Sequence, residues 1–551
     1  MIRLFFILFC ASVFSSSQSQ VEQCKYIIGP PKSGSVTTIL NPASLPGIGP
    51  GDVICLEAGT FYQILVDGLQ GECGQPITIR NHNGRVIVEN DAHYGISVRN
   101  SSYLTITGNG DNDILYGLAI MRVERGAGLC FGSLSSNVTA SYLEIGNTAL
   151  SGIIAKTDPN ISLTSLRNQF TMYDTHIHDN YIYNTGMEGI YIGSSFYNGM
   201  TIHYNEKDTL VYPHVNVGVQ VYNNKVENTG RNGIQVSSAV SGCLVRDNHV
   251  LYDSQSQTNN HMSGINIGGG SVCDIYNNHI AFGKGSGIEI FGRGNMKVFN
   301  NLIEYPGSSI QSDEMYFVSF KHGIYVQDIN TDPDAPVHLF NNTIISPNGD
   351  GIRFVNDKTT GSRIQNNIII DPGSYRQIGD LAYINHPGLP LMVSHNLLAL
   401  NLQHAGFKDP DNGDYYLKSG SPAVNTGINL SSYGITFDRL YNPRPNRGSF
   451  DIGAHELDSW ESEDEIPILK VYPNPFSQFL SVQFSLIEKS DVRLQLNDLS
   501  GKTVFIHDER QLGPGVHEIN IQPMLLSSQE MHVLTLITTD RSVSIFVLYL
   551  K

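Results

Sequence analysis

The chain has 551 residues, a net charge of −17, only 15% charged residues, 54 glycines and a single Trp. So acidic a protein argues against nucleic acid and an anionic membrane surface as partners, and an acidic polysaccharide would need a local basic patch or a bridging cation. The composition fits a turn-rich β protein rather than a helical one, and the length allows more than one domain.

The sequence opens MIRLFFILFCASVFSSSQSQ, with Arg3, an apolar run from Leu4 to Phe14 and small residues after it. This is the pattern of a secretory signal peptide over residues 1–20, too short to span a membrane. No later segment is long and apolar enough to be a transmembrane span. Six cysteines follow: Cys24, Cys55, Cys73, Cys130, Cys243 and Cys273. None has metal-ligand spacing. Cys55 and Cys73 flank a hairpin-like stretch and form one candidate disulfide.

Residues 24–100 alternate apolar and polar positions in VICL, PITIR and RVIVEN, separated by Gly-containing turns, which reads as short strands. The run PGDVICLEAGTFYQILVDGLQGECGQPITIRNHNGRVIVEN resembles the opening coils of secreted β-helix proteins of the chondroitinase B and alginate lyase kind. The resemblance covers about seventy residues and implies the start of a solenoid; it implies little about chemistry. Residues 138–155, VTASYLEIGNTALSGIIA, align as a further coil.

From Met172 to Ile370 one phrase recurs: alternating apolar residues, an Asn, another apolar residue, a short turn, then Gly-Ile-x-apolar. Aligned, it puts Asn180, Asn224, Asn248, Asn278, Asn301, Asn342 and Asn367 in one column, with Leu143 in the same place earlier and Asn396 as an eighth Asn. Period-two alternation repeating about every two dozen residues marks a solenoid of stacked strands. Identical amides one strand spacing apart can bond along the stack, and Asn tolerates the left-handed backbone of a sharp corner. The expected fold is a right-handed parallel β-helix over residues 21–456. Cys243 and Cys273 each stand five residues before a column Asn, at inward positions of adjacent coils. They should stack about one strand spacing (~4.8 Å) apart, as a disulfide or as two free core thiols.

Polar insertions leave the stack at Ser194 to His214, Tyr252 to Ser263 and Pro306 to Phe320. The last two enter at one corner, just before the Gly-Ile strand, and so wall that strand. The solenoid closes through DNGDYYLKSGSPAVNTG and FDRLYNPRPNRGSFDIGAHE, where Asp438, Asp451, His455 and Glu456 read as caps of an exposed sheet edge. Residues 457–466 form an acidic linker. Residues 467–551 show about seven short alternating strands, a small β-sandwich. Its VYPNPF opening, VRLQLNDLSGKTV and terminal basic residue resemble the C-terminal sorting domain of the type IX secretion system of Bacteroidetes. That resemblance implies export by the type IX machinery to the cell surface or the medium.

The x positions of the Gly-Ile strand face outward. They give Tyr191, Gln235, Asn266, Glu289, Tyr325 and Arg353, with Glu188, Arg231, His261, Lys284, Lys321, His322 and Asp350 just before the strands and Arg293 just after. Hydrogen-bonding forks beside aromatic rings suit a polysaccharide groove. The densest cluster suits β-elimination on a uronic-acid polymer, which needs a base, a clamp on the carboxylate and an acid for the leaving oxygen. The expected roles are Lys321 or His322 as base, Arg353 as clamp and Tyr325 as acid. Glu289 is expected as a Ca²⁺ ligand or orienting group. Tyr191, Gln235, His261, Asn266, Lys284 and Arg293 are expected to bind substrate. The chondroitinase-like lyases carry acidic metal ligands with a Lys and then an Arg-His pair; here only Glu289 with Arg293, and Lys321-His322, stand in those places. Two alternatives stay open: a hydrolase pairing Glu289 with Asp328 or Asp350, and a glycan-binding or adhesion protein without catalysis. A monomer is expected.

Overall fold

The computed structural model describes residues 23–457, apart from 33, 308–320, 328–330, 374–382 and 447, and residues 470–549, apart from 475, 478, 487–488, 499–501, 523–530 and 539–541. The signal peptide and the acidic linker fall outside these residues, except Leu457. The chain divides into two compact units, 1–457 and 458–551.

A typical coil of the first unit is three short strands, as in Cys273–Tyr276, His279–Ala281 and Ser286–Ile290, although in the opening coils one long strand such as Ile77–Asn90 takes the first two places. Every strand pairs in parallel with its counterparts on neighbouring coils. Strands of the first two kinds join in one 23-stranded assembly, and those of the third form a 12-stranded sheet. We call them the first, second and third sheets. The unit is a parallel β-helix whose interior is one continuous stack of Ile, Val and Leu, among them Ile275, Ile280, Ile288 and Ile290.

The Asn column lies between the first and second sheets and is bonded throughout. Each amide nitrogen from Asn180 to Asn367 donates to the side-chain oxygen of the next Asn, ending on Asn396, at 2.9–3.0 Å. Asn278 also donates to the carbonyls of Val245 and Tyr276, and its oxygen accepts the Asn248 backbone N–H. Leu143 supplies no amide but keeps its place, its N–H donating to Asn180. The left-handed backbone expected of these Asn residues belongs instead to the residue before each one: Asp179, Asn223, Asp247, Asn277, Asn300, Asn341, Asn366 and His395 all have φ between 51° and 59°. The recurring Asn-Asn pair thus divides two tasks, the first residue turning the chain and the second tying the stack.

The closing segment corrects one expectation. It does not cap the sheet edge; it runs back along the side of the solenoid. The first-column residues Asn366, Asn300 and Asn341 donate their amides to the carbonyls of Ile428, Phe437 and Asp451. Leu430, Ile435 and Phe450 pack with Phe299 and Phe340, apolar side chains that the first sheet turns outward. A sheet face carrying such rings must be covered, and this strap covers it. Asp438 and Glu456 hold the strap's own turns, with Arg444 and Glu456 fully buried as an ion pair.

Cys243 and Cys273 form a disulfide with Cα atoms 4.5 Å apart, settling that alternative. The Cys55–Cys73 pairing is wrong: Cys55 is bonded to Cys24, because Tyr26–Ile28 pairs in parallel beside Val53–Phe61 and brings the two together.

In the second unit a three-stranded and a four-stranded antiparallel sheet share one core. Phe476, Leu480, Val482 and Phe484 meet Leu494, Leu496, Leu534 and Leu536, as two faces of a sandwich do.

Candidate functional site on the third sheet

The outward column has the register that the repeat implies. Ser97, Cys130, Ile154, Tyr191, Gln235, Asn266, Glu289, Tyr325, Arg353 and Asn385 are successive rungs. The Gly before each strand's Ile has a packing reason. A Cβ at Gly189, Gly233 or Gly287 would stand 2.6 Å from the carbonyl oxygen of the matching Gly one coil on, so coils approach closely only without side chains there. A second column, two residues before each Ile, runs Ser151, Glu188, Asn232, Ser263, Ser286, His322, Asp350; all are buried.

Insertions cover much of the column. Met200–Tyr204 and Lys207–Val211 form an antiparallel hairpin within the first insertion. Ser195 at its base accepts the Gln235 amide at 2.8 Å and bonds Tyr191 at 2.9 Å. Asn232 donates to the Gln235 oxygen at 2.9 Å. Gln235 is therefore a buried support rather than the groove-floor ligand that was expected. Lys156 lies over the Tyr191 ring at 4.6 Å while paired with Asp158. Asn266 is buried with no side-chain hydrogen bond among the described residues.

The expected centre is brought together. Lys321, His322 and Asp350 are under a tenth exposed, as is Glu289. Burial pushes the Lys321 amine below its ordinary range, resisted by Glu289 and Asp253. Burial likewise pushes the Glu289 carboxyl up, resisted by Lys321 and by a hydrogen bond from Ser286. Lys321 thus gives up its proton more readily than an exposed lysine. His322 is not a base: its Nδ1 accepts the Asp350 backbone N–H at 2.9 Å, fixing the remaining proton on Nε2. Burial, then Arg353 and Lys321, lowers its pKa to about 3. His322 is a neutral donor stacked edge-on to Tyr325, 5.2 Å between centroids. The side chain of Arg353 is 39% exposed, with Asp350 at 3.3 Å; Asn385 donates to the same carboxylate oxygen at 3.0 Å.

Arg293 and Lys284 stand apart. Arg293 is paired with Asp332 at 2.7 Å, and Lys284 is half-buried after the turn, its N–H donating to the Asp253 carbonyl. Asp328 lies outside the described residues. Among those residues the one group with metal-ligand proximity is Cys24, Cys55 and His82, whose cysteines are disulfide-bonded. Among the described residues Glu289 belongs to no group of carboxylate, His or Cys ligands close enough to share an ion. The Ca²⁺ role does not fit these donors.

Asp253 went unforeseen. It is buried beside this centre, and burial raises its pKa to about 7, with Glu289 adding to the rise. In register it follows Thr185 and Thr229, whose hydroxyls donate to the carbonyls of Met187 and Arg231. The next residue in that column is Gly283, where any Cβ would overlap the Asp253 carboxylate. The run Thr, Thr, Asp, Gly was the available signal.

Comparison with known proteins agrees with this architecture. A family described as "Right handed beta helix region" matches residues 210–378, and one described as "Secretion system C-terminal sorting domain" matches residues 470–524. The sorting domain directs type IX secretion to the cell surface or extracellular space. Among the described residues no helix is long and apolar enough to cross a membrane. The structure of XylC with xylose is similar at 8% identity and a TM-score of 0.34, covering 91% of this chain and all of that one. Tailspike protein 2 of Escherichia coli O157:H7 bacteriophage CAB120 is similar at 10% identity and a TM-score of 0.29, covering 93% of this chain and 68% of that one. No curated protein matches the chain.

Proposed function

We propose that this chain, a right-handed β-helix carrying a C-terminal sorting domain for type IX secretion, binds an acidic polysaccharide along its third sheet and cleaves it by β-elimination. The observation that carries the reading is Lys321: an amine pushed down by burial, on the coil between Glu289 and the half-exposed Arg353. In the reaction Arg353 neutralises the uronate carboxylate and so acidifies the adjoining C–H. The Lys321 amine takes that proton. The electron pair forms the new C=C bond as the glycosidic C–O bond breaks, and the Tyr325 hydroxyl gives its proton to the leaving oxygen. Glu289 holds Lys321 in place, and His322 donates from Nε2.

A second reading rests on the raised Glu289 carboxyl, which suits the general acid of a hydrolase with Asp350 as the partner carboxylate. The test incubates the full chain with alginate, pectin and chondroitin and follows the ultraviolet absorbance of the unsaturated product. Elimination is expected, and Lys321→Ala should lower it by about a hundredfold or more. New reducing ends without that absorbance, abolished by Glu289→Gln, would favour the hydrolase. Neither product from any polymer would leave the groove as a binding surface and reject both enzymatic readings.

A further inference from the structure

Four coils before Lys321, about 19 Å along the stack, three side chains converge without satisfying one another. Glu188 is 1% exposed. Its Oε2 accepts the Ser151 hydroxyl at 3.0 Å, but its Oε1 has no hydrogen-bond partner. Facing Oε1 are Arg231 Nη1 at 3.7 Å and His261 Nδ1 at 3.5 Å, the latter also without a partner. The side chains of Arg231 and His261 are 27% and 34% exposed, while Glu188 Oε1 and His261 Nδ1 themselves are buried. His261 comes from the insertion ahead of Ser263–Ile267, Arg231 from the turn ahead of Ile234–Val236. Lys156, which also feels the Glu188 charge, is already paired with Asp158.

Separations of 3.5–3.7 Å are too wide for direct hydrogen bonds, and a buried carboxylate oxygen without a donor is costly. The group that completes this arrangement must donate to Glu188 and accept from Arg231. A hydroxyl does both; a carboxylate only accepts, and it would stand against the buried Glu188 charge.

We propose that Glu188, Arg231 and His261 form a second subsite of the groove, which takes an uncharged sugar unit by its hydroxyls. This rests on the polysaccharide reading above and narrows it. The preferred polymer is one in which uncharged sugars accompany uronic acids, long enough to span four coils.

The test measures binding of the full chain to alginate, whose units are all uronic acids, to unsulfated chondroitin, in which uronic acids alternate with uncharged amino sugars, and to a neutral galactan. The wild type should bind chondroitin more tightly than alginate. Arg231→Ala and His261→Ala should each weaken chondroitin binding by about tenfold and alginate binding by clearly less. Both residues are partly exposed, so folding should survive, and an unchanged thermal unfolding transition verifies it. Equal weakening on both acidic polymers, or no change on either, would overturn the subsite. So would a wild type that binds neither chondroitin nor galactan. Galactan binding that Arg231→Ala removes, with no elimination from any acidic polymer, would sustain the subsite and reject the lyase.

Discussion

The Asn corner and the third-sheet groove are built from the same coils by opposite logic. Along the Asn column each amide is bonded to its neighbours: Asn278 donates three hydrogen bonds and accepts two, although beside the column both amide atoms of Asn277 lack a partner. In the groove the buried polar groups are titratable and displaced from their ordinary state, as in Asp253, Glu289, Lys321 and His322, or left without partners, as in Glu188. One side of the coil holds the stack together; the other holds buried titratable groups at some cost in stability. Repetition suits the first task because each rung is its neighbour's partner. It cannot serve the second, which needs different side chains side by side.

Mutations on the two sides should therefore differ in sign. Asp253 ionises near 3.8 when unfolded and at about 7 when folded. Its contribution to stability is full below 3.8 and is lost as pH rises through about 7. Asp253→Asn should leave stability at pH 4 little changed and raise it at pH 8, by at most about 4 kcal/mol. Denaturant unfolding at both pH values checks this, and a gain that did not grow with pH would contradict the burial argument. Asn301→Ala should do the reverse. Losing its bonds to Asn342, Ile275 and Phe299, and stranding the Asn278 amide, should cost about 3 kcal/mol at any pH; a loss below 1 kcal/mol would mean that the ladder is not cooperative.

The Cys243–Cys273 bond lies at the start of the first-sheet strands, the end away from the Asn corner, between coils that the ladder already joins. Replacing both cysteines by Ser should cost about 2 kcal/mol, seen as an earlier thermal transition. If the loss exceeds that of Asn301→Ala, the disulfide, not the ladder, is the main tie. Arg122 and Glu124 belong to neither region, each about half exposed. Arg122→Ala should change stability by less than about 1 kcal/mol, and any change should vanish in high salt.

Period and composition made the corner and core legible. Asn180 to Asn396 and the Gly-Ile strands fall at fixed places in a repeat, so one aligned register yields the coil, the inward residues and the outward rungs. The same register brought Cys243 opposite Cys273. It also placed Glu289, Tyr325 and Arg353 on successive rungs, but it gave Gln235 to the groove, whereas the first insertion covers it. Pairing of Cys55 with Cys24 depended on Tyr26–Ile28, a strand that precedes the regular repeat.

Sequence alone determined the solenoid, its register, the export tail and the face where charges gather, because these follow from local periodicity or contiguous motifs. Tertiary structure decided which of those charges matter. The state of Lys321, His322 and Glu188 depends on burial and on partners up to two coils away. The strap did as well, since Asn300, Asn341 and Asn366 meet residues more than sixty positions away. Desolvation and long-range hydrogen bonding act on where side chains end up in space, and no spacing along the chain records that.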